Sequence, residues 1–313
     1  MAEIDLFYAV GRVRALETRI LSREDIERLA DAPLRDKALA DAGYGAGAES
    51  EVTDALIKKE LSLARQEISY LLPPEAAAVL LLPYDAHNLK VYLKQCVAAA
   101  RAGRRMEGTP ETAALTYQNT VYDPEIVAAC ARAGEFSLLS DTIAAILNPL
   151  YDLGKLNTPF EISAACDHAF ACEAAEKLAA QPPLIRDVYR MKTDFGNLLC
   201  LLRGAEIGLH EDAVRRMLLP GGELTEDQWC ALYGRKPEEI VSALEGTAAH
   251  DAAAEALLAP DISAGAVKAV LDESLVRELE KGRYDSDTVI PVFLYFLKKE
   301  QEAEMIRRVF SRR

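Results

Sequence analysis

Long apolar runs are missing from this 313-residue chain. The best candidate, AAAVLLLPY from Ala76 to Tyr84, falls well short of the ~18 apolar residues a membrane helix needs and reads as stopped by Pro83. Paired cysteines are missing as well. Cys96, Cys130, Cys166, Cys172, Cys200 and Cys230 form no Cys-x-x-Cys motif. They stand among Ala and Leu at helical spacing, which suits small buried apolar residues in a reducing compartment. Alternating apolar and polar stretches and Asn-Gly turns are absent, so β structure is not expected.

Positive charge is in deficit. Lys and Arg number 36 against 50 Asp and Glu, for a net charge of −14. That excludes nucleic acid as a natural partner, because binding phosphates needs a basic surface. It also excludes docking on anionic lipid except through a local basic patch. One such patch exists, RRVFSRR from Arg307 to Arg313, and cations at the end of a helix account for it through the helix dipole.

Converging catalytic groups are lacking too. In YDLGKL (Tyr151 to Leu156) the Gly-Lys pair has Pro149 where a phosphate loop needs its first glycine and Leu156 where it needs Ser or Thr. Cys166 and Cys172 flank His168 but point to different sides of a helix, so they do not assemble a metal site. His210 leads HEDAV, which has Val214 in place of a second histidine. No Gly-x-Ser-x-Gly elbow occurs. The expected chemistry is none: no enzyme activity, no cofactor and no metal.

What is present is helix. Half the residues are apolar and 27% charged, as in ordinary globular proteins. Leu6, Val10, Val13, Leu16, Ile20 and Leu21 make one stripe at three-to-four spacing. Helix starts are marked by TPFE (Thr158 to Glu161), TEDQ (Thr225 to Gln228), DPE at Asp123, TPE at Thr109 and SRED at Ser22. Gly103, Gly134, Gly208 and Gly246 suit helix ends. GYGAG (Gly43 to Gly47) reads as a flexible loop between helices. The chain is expected to be all-α.

One line is written three times. DAHNLKVYLK starts at Asp85 and DFGNLLCLLR at Asp194; EAEMIRRVFS has Glu302 in the acid's place. The acids lie 109 and 108 residues apart. Leu115-Thr116 and Leu224-Thr225 follow the first two at matching distances, then DPEIVAAC (Asp123) and KPEEIVSAL (Lys236). The third copy is split: it starts near the C-terminus and continues at LSRED (Leu21 to Asp25) and APLRDKALAD (Ala32 to Asp41). This predicts three similar helical domains about a pseudo-threefold axis, forming a ring, bowl or funnel. Their approximate bounds are 1–50 with 265–313, 51–150 and 151–264. Unlike a solenoid, whose units are much shorter, each copy is domain-sized.

The motif residues are Asp85 with Asn88 and Asp194 with Asn197, each pair on one helix face, and Glu302. Cross-linking of neighbouring helices is the plain role for them. Lys90, Arg203 and Arg307 lie further along the same helices as candidate partner contacts.

The opening YAVGRVRALETRILSREDIERL (Tyr8 to Leu29), DAHNLKVYLK, YRMKTDFGNLLCLLRG (Tyr189 to Gly204) and PVFLYFLKKEQEAEMIRR (Pro291 to Arg308) together resemble the C-type subunit of bacterial and archaeal V/A-type rotary ATPases. The eukaryotic counterpart is the d-type subunit of the vacuolar ATPase. The resemblance spans the chain; it departs at Met305-Ile306-Arg307, where the family tends to have Asn-Leu-Arg. It implies a funnel of three all-α domains with no catalytic residue of its own, seated on the cytoplasmic face of the membrane rotor ring. The partners implied are the D- and F-type subunits of the central shaft and the proteolipid ring. The rival classes are a helical scaffold or adaptor outside any ATPase, and an all-α enzyme with a buried acidic site.

Overall fold

The computed structural model describes residues 5–104, 110–260 and 262–311. Among them every regular element is a helix, as the periodicity and caps predict. Three short helices come first: α1 (Leu6–Glu17), α2 (Arg23–Ala30) and α3 (Arg35–Asp41). Two long ones follow, α4 (Thr53–Leu71) and α5 (Pro74–Arg101). Next come α6 (Pro110–Leu115), α7 (Pro124–Ala133), α8 (Asp141–Asp152), α9 (Pro159–Leu178) and the long α10 (Pro183–Glu206). Four short helices, α11 (Glu211–Met217), α12 (Glu226–Leu232), α13 (Pro237–Ala243) and α14 (His250–Leu257), lead to α15 (Ala264–Leu279) and α16 (Ile290–Ser311).

The caps are where the sequence puts them. Ser22, Thr158 and Thr225 form two-way capping boxes with Asp25, Glu161 and Gln228. Asp123 accepts the Glu125 N–H, with Pro124 in the first turn of α7, and Gly134 ends that helix in the left-handed region. Each such cap contributes about 1 kcal/mol. The expected cap at Thr109 lies outside the described residues.

Two boundaries differ from expectation. Pro83 does not stop its helix: α5 runs through it. A proline removes one backbone donor and crowds the preceding turn. The flanks outweigh this, since Ala76 to Leu82, Ala86 and Leu89 are all buried and packing supplies most of a helix's stability. The apolar stripe of α1, in turn, outlasts its helix. α1 ends at Glu17, buries only Ala9 and Val13, and leaves Phe7 and Tyr8 exposed.

The chain divides into two compact units. One joins Met1–Ala77 to Leu279–Arg313, so both ends of the chain build it; the other is Ala78–Glu278. In the first, α16 packs on α4, α1 and α2 around Ile26, Leu39, Ile57, Ile306 and Phe310. In the second, α8 lies along α9, and Leu89, Val127, Phe136, Leu147 and Ile162 share one core. Also in that unit, α10 packs on α11 and α12, and Trp229 of α12 is fully buried. Each buried Leu, Ile or Phe contributes about 2 kcal/mol.

The six cysteines are free thiols. Cys130, Cys166 and Cys230 are buried, whereas Cys96, Cys172 and Cys200 are half-buried rather than core residues.

Candidate functional site

The repeated motif is an internal clamp. Asp85, fully buried on α5, accepts the N–H groups of Val121 at 2.9 Å and Tyr122 at 3.2 Å. Asn88, one turn further along, brackets Tyr117: its Nδ2 donates to the Tyr117 carbonyl at 2.9 Å and its Oδ1 accepts the Tyr117 N–H at 2.7 Å. On α10 the same device recurs. Asp194 accepts the N–H groups of Glu223 at 2.8 Å and Leu224 at 3.4 Å. Asn197 donates to the Leu219 carbonyl at 3.0 Å and accepts its N–H at 2.8 Å. Glu302 on α16 accepts the Leu21 N–H at 2.6 Å. In each copy the acid holds the residue just before a helix cap: Tyr122 before Asp123, Leu224 before Thr225, Leu21 before Ser22.

These bonds correct one register read from sequence. Leu115-Thr116 is not the counterpart of Leu224-Thr225; it closes α6. The true counterpart is Tyr122-Asp123, and the first copy carries seven extra residues between its helix and the held loop. The backbone agrees with this match, because Asn119 (φ 59°) and Gly221 (φ 97°) stand at the same place in the two loops and both are left-handed. The helix led by Asp123 therefore pairs with that led by Thr225, not with KPEEIVSAL.

Met305, where the other copies have Asn, leaves no backbone group stranded. The residue five before Leu21 is Leu16, in the last turn of α1, and its carbonyl already accepts the Arg19 N–H at 3.0 Å. Met305 packs instead against the core of its own unit.

Burial pushes the Asp194 carboxyl above its ordinary value, against the pull of the two backbone N–H donors. Burial does the same to Glu302, opposed by the charge of Lys299 and by the Leu21 N–H. Lys299 is 2% exposed, and the sequence pattern does not single it out, although it stands three residues before Glu302 on the same helix face. It pairs with Glu302 and, at 2.7 Å, with Glu60 of α4. Glu60 also accepts the Gly45 N–H at 3.0 Å. The GYGAG loop is thus fastened rather than free: a Cβ at Gly45 would lie 2.5 Å from the Leu56 carbonyl oxygen.

The three candidate contact residues sit differently. Lys90 pairs with Asp167 of α9 at 2.6 Å. Arg203 is exposed on α10, and Arg307 is exposed on α16 with Glu304 at 2.6 Å. No helix among the described residues is long and apolar enough to cross a membrane.

No curated protein matches the chain. The family model of the ATP synthase (C/AC39) subunit matches residues 9–312, nearly the whole chain. The resemblance carried by the repeated helices therefore holds, and the chain belongs to the ATP synthase (C/AC39) subunit family of V/A-type ATPases.

Proposed function

We propose that the chain is a non-catalytic central-stalk subunit of a V/A-type ATPase. It links the rotating shaft of D- and F-type subunits to the proteolipid rotor ring and passes torque between them, for ATP-coupled proton or sodium transport. It works on the cytoplasmic face, held at the membrane by the ring. Its three helical repeats, 1–50 with 265–313, 51–150 and 151–264, surround a pseudo-threefold axis as a funnel that receives the shaft tip.

The family match over residues 9–312 carries this reading. The clamps support it. A torque coupler has to be stiff, and each clamp replaces a slack loop with buried, charge-assisted hydrogen bonds at a helix junction. The motif acids and asparagines are spent inside the fold, so binding falls to exposed helix surfaces and loops, with Arg203 and Arg307 as the partner contacts of the motif helices. Co-purification tests it. A tagged chain brings down both shaft and ring subunits from detergent-solubilised membranes; recovery of neither, or of unrelated proteins only, contradicts the proposal and favours an adaptor.

A further inference from the structure

Lys299 is the residue that the repeats do not share. Three positions before the motif acid the other copies have Leu82 and Met191, both apolar and buried. A charge in such a slot is strongly unfavourable unless it is paired. Here the pairing fastens distant parts of one unit. Lys299 bridges Glu302 and Glu60; Glu302 holds Leu21, which leads into α2, and Glu60 holds Gly45. The ammonium also lies 5.0 Å from the ring centroid of Tyr44.

One side of the cluster borders a cavity, while Glu302, 3% exposed, lies buried off its wall. A cavity of about 670 Å³ is lined by Lys299, Glu60, Tyr44 and Leu21. The Tyr44 hydroxyl is buried without a hydrogen-bond partner. A wall that carries Glu60, Glu67 and Arg12, beside that much space, suits hydration rather than a dry core.

We propose that Glu60, Lys299 and Glu302 form a proton-operated clasp. Protonation neutralises the Glu302 carboxylate; Lys299 then keeps Glu60 alone, and the Leu21 segment loosens from α16 while Gly45 stays held. The repeat built from the two chain ends thereby has a catch that its siblings lack.

The surroundings select Glu302 as the group that responds. Burial already disfavours its charge, and Glu60 nearby adds charge of the same sign. Tyr44 and Tyr295, raised by burial above their ordinary values, stay neutral. Arg307 acts on Tyr44 from α16. On other walls of the cavity Arg12 is paired with Glu67, Asp25 with Arg28, and Arg19 stands at the end of α1. Lys298 is engaged by Glu17 and Glu280. Because the folded value of Glu302 is raised, proton uptake favours the folded chain as a whole as pH falls. What weakens is the local tie to Leu21.

Amide hydrogen exchange of the full-length chain, corrected for the intrinsic effect of pH, tests the clasp. Between about pH 8 and about pH 5, protection at Leu21 falls about tenfold and protection at Gly45 does not change. Glu302→Gln keeps an acceptor oxygen but takes no proton, so it removes the pH dependence. Flat protection at Leu21 in the wild type, or pH dependence that survives in E302Q, overturns the proposal. Should E302Q not fold, the carboxyl resonance of Glu302 in the wild type decides: titration at or below the ordinary glutamate value overturns it.

Discussion

A methyl group on Gly222 would lie 2.1 Å from Oδ1 of Asp194. The carboxylate cannot step aside, because its two oxygens are committed to Glu223 and Leu224. Gly222→Ala is expected to cost more than about 2 kcal/mol by breaking the clamp or displacing the loop. Gly208→Ala is the control. Gly208 has open space around it and only a left-handed φ of 68° to strain, for a cost of about 1 kcal/mol. Denaturant unfolding of the two variants measures the difference.

Asp194→Asn puts an amide N–H₂ where a backbone N–H now finds an acceptor. A loss of about 1–3 kcal/mol at neutral pH follows. The sign with pH is distinctive. The folded value of Asp194 is raised, so its charged form is a liability that acid relieves. Wild type therefore gains on the variant as pH falls towards that value. Trp229 is the only tryptophan and fully buried in the same unit, so its fluorescence follows the unfolding.

Glu135 behaves in the opposite sense. Its carboxylate accepts from the Ser137 N–H and hydroxyl and from the Asn148 side chain, which brings it down to about 2 from an ordinary 4.5. The stability it lends is present above about 4.5 and is lost as pH falls towards about 2. Comparison of thermal unfolding of the wild type and Glu135→Gln across that window is expected to show a gap near neutrality that closes in acid.

Lys299→Met installs the apolar type that Met191 provides in another copy, but it strands Glu302 and Glu60 without their cation. A loss of about 3–5 kcal/mol is expected. The double variant Lys299→Met, Glu302→Met removes the buried charge together with its partner and recovers much of that loss, as read by urea unfolding.

The helices, their caps and the repeat are legible in the sequence, since each rests on local spacing. Ser22, Thr158 and Thr225 announce their capping boxes within four residues. The meaning of the repeat is only half legible. Asp and Asn three apart show a shared face, but the loop that face holds lies 22 to 37 residues away, and the seven extra residues of the first copy make Leu115 look like Leu224. Pro83 misleads because the burial that carries α5 past it is tertiary. Lys299 escapes notice because nothing local distinguishes a buried lysine from a surface one. The signal that finds it is the comparison of copies, where it stands against Leu82 and Met191.

The account depends on the chain being a coupler, and rotation-coupled transport tests that most directly. ATPase complex is assembled with and without the chain in vesicles, and ATP hydrolysis and ion uptake are measured together. Without the chain, hydrolysis by the soluble head persists while ion uptake is lost, and adding the chain back restores uptake. Ion uptake that proceeds unchanged in its absence would contradict the account.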